Sequence, residues 1–283
     1  MTRPQAGNAV RETLRRVWAR QMRPRVPRGL LALAGSACRA VGLEARLLHW
    51  LIPASAADGL TTATPETPPA LYRSLRRIAE QGPRGDYYEF GLYRGFTFWF
   101  AQQAADILHL RRMRFFGFDS FEGLPRPEGI DAASSEFQQG DYRCSRTEVV
   151  ARLSTFGFDW SRAQLVEGFF VDSLRPSLTG PLSMGPVAVA LVDCDLYAST
   201  VPVLSFLAPL LQDGTILLFD DWNCFGASDD HGQRRAFREF LARSAEWDAE
   251  PYLRFGWHGQ GFVLRSRARR PDSQRHPQQH RLI

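Results

Sequence analysis

Lysine is absent from this chain of 283 residues, so all 35 basic side chains are arginine. The absence excludes a lysine general base and a lysine Schiff base. Cysteine is scarce, and its four residues lie far apart with no CxxC pair: Cys38, Cys144, Cys194 and Cys224. This spacing argues against a zinc site or a disulfide framework and predicts a reduced, cytoplasmic protein.

The glycine pattern GxGxxG is also missing from the turn EFGLYRG, which argues against a nicotinamide dehydrogenase. The apolar run GLLALAGSA resembles a short signal-peptide core, but it starts late in the chain, and its apolar pattern continues past Arg39 and Glu44. This region is too charged to span a bilayer. We therefore expect neither secretion nor a membrane span.

The net charge is +5 and the isoelectric point is near 9.3. Much of the basic charge lies in residues 1–46 and 265–281, a distribution typical of solvated arms rather than a nucleic-acid surface. Apolar periodicity predicts helices at 8–22 and 29–52. We expect them to pack on the rest of the chain or on a second subunit of a homo-oligomer, and we favour this over contact with an anionic membrane.

From residue 70 onward, helical and strand patterns alternate, which predicts parallel βαβ units. The predicted fold is α/β, a doubly wound, mostly parallel seven-stranded sheet closed by an antiparallel hairpin. The predicted domains are a helical extension and linker or lid (1–69), a catalytic domain (70–266) and a basic, disordered tail (267–283). The predicted strands are 86–90, 114–118, 163–167, 187–193, 214–219 and two near Leu253 and Phe262 joined by HGQG; the main helices are 70–81, 97–110, 146–156, 199–211 and 231–245.

The turn after the first strand predicts a cofactor site. Gly91 and Gly95 allow a tight turn and a close approach of a ligand, and the free N–H groups of the next helix point to the same place. Glu89, at the end of the strand, can accept hydrogen bonds but would repel phosphates. This combination favours S-adenosylmethionine over a dinucleotide.

The next two strands also end in polar or aromatic groups. Asp119 and Ser120 follow the second strand, where an acid can accept hydrogen bonds from both ribose hydroxyls of a nucleoside. Gly168 and Phe169 follow the third strand, and Phe169 and its neighbour Phe170 suit an adenine face. Ligands of an open parallel sheet gather at this edge, so we expect a nucleoside there.

Acids end the fourth and fifth strands. Asp193 lies in DCDLYAST, and Asp220 and Asp221 lie in FDDW. If these strands are neighbours about 4.8 Å apart, their carboxylates converge and repel unless one is protonated or a cation lies between them. Oxygen ligands suit Mg²⁺ or a similar divalent ion. The alternative is that Asp193 or Asp221 caps the following helix.

Five motifs in order, EFGLYRGFT, FDSFEGLP, VEGFF, DCDLYAST and FDDW, carry a resemblance over about residues 70–265. The first resembles the cofactor turn of catechol O-methyltransferase, and the set is similar to the macrocin O-methyltransferase family, metal-dependent enzymes that methylate sugars on natural products. The resemblance implies an S-adenosylmethionine-dependent class I methyltransferase fold. It implies that Glu89, Gly91, Tyr93 and Thr97 line the methionine part of the cofactor, that Asp119 binds its ribose, and that Asp193, Asp220 and Asp221 are metal ligands.

Two departures from the catechol enzymes bear on the acceptor. Those enzymes have a lysine at the base position, and they have an amide where this chain has Asp221. Both departures favour a sugar or polyol alcohol over a catechol. We expect Asp193 or Asp195 to take the proton, with His231 as an outside candidate, and we expect His109 and His258 to be structural or surface groups.

Loops around the strand ends should select the small-molecule hydroxyl acceptor. These are the linker at 53–69, the loop at 120–145 and the loop at 223–232; the aromatic residues that could wall the acceptor are Phe121, Phe137, Tyr142, Trp222 and Phe225. Two rival functions stay open. Asp193-Cys194-Asp195 also fits a metal-dependent DxD glycosyltransferase, although Glu89 would then lie beside a diphosphate, and the chain could be a non-catalytic cofactor-binding scaffold.

Overall fold

The computed structural model describes residues 66–269. The predicted helices at 8–22 and 29–52, most of the predicted linker and most of the predicted tail lie outside the described residues. Among the helices within 66–269, none combines the length and the apolar character needed to cross a bilayer.

A seven-stranded sheet organises the described residues, with the strand order β3-β2-β1-β4-β5-β7-β6. The first five strands in this order are parallel, and β7 runs antiparallel to both β5 and β6. The strands are β1 Asp86–Phe90, β2 Phe115–Asp119, β3 Ala163–Glu167, β4 Val187–Val192, β5 Ile216–Phe219, β6 Trp247–Phe255 and β7 Gly259–Ser266. The helices are α1 Thr67–Gln81, α2 Phe96–Ile107, α3 Arg146–Thr155, α4 Phe170–Ser173, α5 Tyr197–Leu207 and α6 Gly232–Arg243. This topology confirms the predicted α/β fold.

The central strands form because both of their faces are covered. Every residue of β1, β2, β4 and β5 is buried. Alternate residues enter two separate cores, as the pleat requires: Tyr87 and Phe115 pack with α1 and α2 on one face, and Tyr88 and Phe116 pack with α5 on the other. The sheet is therefore a rigid platform for whatever lies at its strand ends.

The hairpin differs in detail from its prediction. The turn between β6 and β7 is Gly256-Trp257-His258, whereas Gly259 and Gly261 of HGQG lie within β7. A Cβ at Gly259 would lie 2.2 Å from the ring of Phe255, so glycine here allows close packing across the pair of strands.

The sequence-adjacent strands β1 and β2 lie on one side of the sheet, and β4 and β5 lie on the other. The strand order therefore reverses between β1 and β4. In open α/β sheets, ligands bind outside the carboxyl ends of the strands at such a reversal.

Candidate active site

A cavity of about 750 Å³ lies at the carboxyl ends of the central strands. Its volume is in the range of small-molecule sites. Nine of the predicted site residues line it: Gly91, Tyr93, Asp119, Ser120, Phe169, Asp193, Asp195, Asp220 and Asp221. Glu89, Gly95, Thr97 and Gly168 are not among the lining residues. The fold thus brings together the ends of both halves of the sheet.

Gly91 forms the closest contact between the two halves. Its φ is 91°, and a Cβ there would lie 1.7 Å from the carbonyl oxygen of Asp193. Gly95 also has a positive φ, 80°, and it precedes the first turn of α2. The turn therefore needs glycine for backbone conformation at both positions and for space at Gly91.

Glu89 lies beneath this turn and is completely buried. One carboxylate oxygen accepts a hydrogen bond from Thr97 Oγ1 at 2.6 Å, and the other accepts one from the Tyr87 hydroxyl. Burial raises the pKa of Glu89 to about 8. In this structure Glu89 and Thr97 bind each other, and their role toward the cofactor stays a prediction.

Asp119 shapes the adjoining loop. Its Oδ2 accepts hydrogen bonds from the backbone N–H groups of Leu92 at 2.6 Å and Tyr93 at 3.2 Å, and its Oδ1 accepts one from Phe121 at 2.6 Å. Burial raises the pKa of Asp119 despite these donors. One carboxylate thus ties the β2 end to the glycine turn while still lining the cavity.

Three carboxylates converge at the ends of β4 and β5. Asp193, Asp220 and Asp221 each offer an oxygen, and these oxygens lie within 4.8 Å of one another. Burial, followed by repulsion from Asp220 and Asp221, raises the pKa of Asp193 well above its usual value. A hard divalent cation would relieve this repulsion, so the donor set fits Mg²⁺.

Asp195 and Gln233 fix the position of Asp221. The backbone N–H of Asp195 donates to Asp221 Oδ2 at 2.9 Å, and Gln233 Nε2 donates to the same oxygen at 3.1 Å. Neither donor is a backbone N–H of the helix that follows Asp221, so these contacts do not make Asp221 a helix cap. Sequence reasoning missed Gln233. Burial, with repulsion from Asp220 as the next cause, raises the pKa of the Asp195 carboxyl to about 7.

Left-handed backbone occurs at several points of this site. Among non-glycine residues, the lining residues Tyr93, Tyr142 and Asp195 have φ values of 48°, 58° and 59°. Such conformations cost about 1–3 kcal/mol each and persist where the surrounding structure fixes them. The surrounding structure therefore holds the backbone of these three residues in a fixed conformation.

The three predicted histidines lie in different places. His109 is exposed and lies outside the cavity lining. His231 stacks on Phe225, and its Nδ1 lies 3.0 Å from Ser228 Oγ. It is not a lining residue of the cavity either. His258 is buried, and its Nδ1 lies 2.7 Å from the backbone oxygen of Asp220.

The long loop at 120–145 is anchored to the elements that carry the acids. Asp131 accepts hydrogen bonds from the backbone N–H groups of Tyr197 and Ala198 at 2.8 and 3.0 Å, and so caps α5. Glu136 accepts one from the Phe225 N–H at 2.6 Å. Sequence reasoning missed both anchors.

The aromatic residues predicted to wall an acceptor separate into two groups. Tyr142 lines the cavity and is 52% exposed. The other four are not lining residues; Phe121 is buried in the core, Trp222 packs on Phe219 and Phe262, and Phe137 packs on Phe225. Tyr142 is therefore the aromatic side chain in this set that is placed to meet an acceptor.

Comparisons with known proteins identify the family of the chain. The sequence matches the macrocin-O-methyltransferase (TylF) family over residues 69–245. It is 28% identical over 158 residues to the 8-demethyl-8-(2,3-dimethoxy-alpha-L-rhamnosyl)-tetracenomycin-C 4'-O-methyltransferase of Streptomyces olivaceus, covering 54% of this chain and 58% of that protein. It is 28% identical over 159 residues to the mycinamicin III 3''-O-methyltransferase of Micromonospora griseorubida, covering 54% and 61%. The chain thus spans about three fifths of the length of these relatives.

Two solved structures share the fold. The O-methyltransferase NovP superposes with a TM-score of 0.58 at 22% identity, covering 71% of this chain and 79% of that chain. The calicheamicin methyltransferase CalS11 gives 0.55 at 23% identity, covering 70% and 77%. Since the family match spans more than half of the sequence and includes the glycine turn and all three clustered aspartates, the chain belongs to the macrocin-O-methyltransferase family.

Proposed function

We propose that this protein is an S-adenosylmethionine-dependent, Mg²⁺-assisted O-methyltransferase that acts on a hydroxyl group of a sugar or a natural-product-like small molecule. The observation that carries the proposal is the cluster of Asp193, Asp220 and Asp221, whose oxygens lie within 4.8 Å of one another beside a cavity that reaches Gly91. One curated relative is named as an O-methyltransferase of a rhamnosyl-tetracenomycin and the other as an O-methyltransferase of mycinamicin III, and these names support the acceptor class.

The donor side of the cavity suits a nucleoside sulfonium. S-adenosylmethionine supplies a methyl group whose transfer removes the positive charge on sulfur. Gly91 and Tyr93 line the cavity beside the end of β1, and Asp119, which lines the same cavity, would accept hydrogen bonds from a ribose. Phe169, at the β3 end, lines the same cavity and offers an aromatic face to adenine.

The acceptor side must hold an alcohol and take its proton. A divalent cation lowers the pKa of a bound hydroxyl and orients it. Asp193, Asp220 and Asp221 would hold the cation. Asp195 lines the cavity outside this cluster and is our first candidate for the proton acceptor, with Asp193 as the alternative. As the O–H bond breaks, the oxygen forms a bond to the methyl carbon and the carbon–sulfur bond breaks.

The test compares ligands and variants. Calorimetry should show binding of S-adenosylhomocysteine and none of a nucleoside diphosphate, the ligand that a DxD glycosyltransferase would take. Mass spectrometry of glycosides incubated with cofactor and Mg²⁺ should show methylation, and a chelator should stop it. Binding of cofactor without any response to Mg²⁺ would instead support a non-catalytic scaffold.

Asp193→Ala should abolish turnover while cofactor binding stays measurable. Asp195→Asn should keep metal binding and lower the turnover rate by roughly 10²–10⁴-fold, the usual contribution of a general base. Glu246→Gln, which changes an exposed carboxylate outside the cavity lining and outside the three predicted acceptor loops, is the control. Unchanged turnover in Asp193→Ala would refute the assignment.

A further inference from the structure

Two residues far away in the sequence hold Asp220 in place. Thr67 Oγ1, at the first position of α1, donates a hydrogen bond to Asp220 Oδ1 at 2.7 Å across a separation of 153 residues. His258, in the turn before β7, places Nδ1 2.7 Å from the Asp220 backbone oxygen and 3.5 Å from its Oδ2. Both the side chain and the backbone of Asp220 are therefore fixed.

Water has little access to these contacts. Thr67 is 0% exposed, and Asp220 and His258 are each 4% exposed. If either partner were removed, solvent could not readily take its place, and the buried oxygen of Asp220 would be left without that hydrogen bond. The orientation of Asp220 thus depends on these two side chains.

The partner of His258 shows which of its ring nitrogens donates a hydrogen bond. A carbonyl oxygen only accepts hydrogen bonds, so Nδ1 carries the proton that it donates to Asp220. Within residues 66–269, the buried Nε2 of His258 has no hydrogen-bond partner. The buried ring of His258 therefore contacts its polar partner through Nδ1, which faces Asp220.

We infer that Thr67 and His258 are positioning residues that aim the Asp220 carboxylate at the cation, an inference that rests on the proposed function of the site. The hydrogen bond from Thr67 occupies Oδ1 from the side of α1, so the carboxylate cannot rotate freely. Residues that orient metal ligands in this way typically change metal affinity by 10–100-fold when they are replaced. Neither Thr67 nor His258 lines the cavity, so they act through Asp220.

The test measures metal binding without turnover. Mn²⁺ binding to the full chain is followed by electron paramagnetic resonance and Mg²⁺ binding by calorimetry, with no acceptor present. Thr67→Val keeps the side-chain volume but loses the donor, and Thr67→Ser restores the hydroxyl. We expect Thr67→Val to raise the dissociation constant of Mn²⁺ by about tenfold or more. Thr67→Ser should stay close to the parent, and the affinity for S-adenosylhomocysteine should not change in either variant.

A second pair of variants, at His258, tests the inference if Thr67→Val does not fold. His258→Phe keeps a ring against Phe255 but loses Nδ1, whereas His258→Asn keeps an N–H for the Asp220 carbonyl. We expect weaker Mn²⁺ binding in His258→Phe than in His258→Asn. Folded valine and phenylalanine variants with the parent's dissociation constant would overturn the inference and leave the metal site standing. A parent protein that binds neither Mn²⁺ nor Mg²⁺ would overturn both.

Discussion

Gly91 lies against Asp193 so closely that a Cβ on Gly91 would be 1.7 Å from the Asp193 carbonyl oxygen. The turn that we assign to the cofactor and the strand end that carries the first acid are thus in direct backbone contact. A substitution on either side of this contact should therefore displace the residue on the other side.

Gly91→Ala should therefore abolish both S-adenosylhomocysteine binding and turnover, because the added methyl group must push β1 away from the β4 end. Calorimetry and a methylation assay measure the two losses. Gly140→Ala is the matched control, since Gly140 has a similar φ of 83° but nothing within 4 Å of the place where a Cβ would lie. The control should lose about 1–2 kcal/mol of stability from left-handed strain alone and keep its cofactor affinity. Equal behaviour of the two variants would contradict the role of the contact.

Glu89 should make the stability of the protein depend on pH. Burial raises its pKa from 4.5 to about 8, so the carboxyl group binds its proton more tightly in the folded state. Its contribution to stability is complete below the unfolded pKa and is lost as the pH rises through about 8. Glu89→Gln removes this titration. The fall in the free energy of unfolding with rising pH should become shallower by up to ~1.4 kcal/mol per pH unit.

Urea unfolding at constant ionic strength, with a chelator present and at several pH values from about 5 to 8, measures this slope. Glu122→Gln makes the same chemical change on an exposed residue and should leave the slope as it is. A slope unaltered in Glu89→Gln would show that Glu89 does not take up a proton on folding.

Replacing Asp131 should weaken binding of the acceptor and leave binding of the cofactor unchanged. Asp131→Ala removes the cap of α5 and frees the loop at 120–145 from the helix that follows Asp195. We expect a loss of stability of about 0.5–2 kcal/mol, typical of helix caps. We also expect a several-fold rise in KM for the acceptor, with an unchanged affinity for S-adenosylhomocysteine.

Steady-state kinetics and calorimetry together test this expectation. Ser145→Ala is the comparison, because Ser145 caps α3 through its bond to the Glu148 N–H and is not a lining residue of the cavity. It should cost similar stability without altering KM. If both variants change KM equally, the effect of Asp131 is one of general stability.

Much of the fold could be predicted because its central strands are apolar runs that end in glycine or acid. The predicted strand 187–193 is observed as Val187–Val192, and 86–90 is observed without change. The clustered acids could be predicted for the same reason, since Asp193 and Asp220 directly follow such strands and Asp221 comes one residue later. The end of each apolar run in the sequence therefore marks the place in the structure where an acid of the site lies.

The contacts that orient the acids could not be predicted in this way. Asp131 meets Tyr197 across 66 residues, and Thr67 meets Asp220 across 153. Neither pair shows any periodicity or motif that relates its members, because they meet only when separate loops and helices pack together. The predicted helix start at 199 is two residues late for this reason, since the cap of α5 comes from Asp131 and not from a neighbouring residue.

The position of β7 between β5 and β6 has a consequence for biosynthesis. The ribosome delivers Gly91, Asp193 and Asp220 before it delivers the turn at 256–258, so a nascent chain contains the clustered acids before it contains His258. Asp220 obtains the support of His258 only when the final strand inserts beside β5. Under the proposed function, the site would therefore reach its full affinity for the cation only in a chain that has been synthesised past this hairpin.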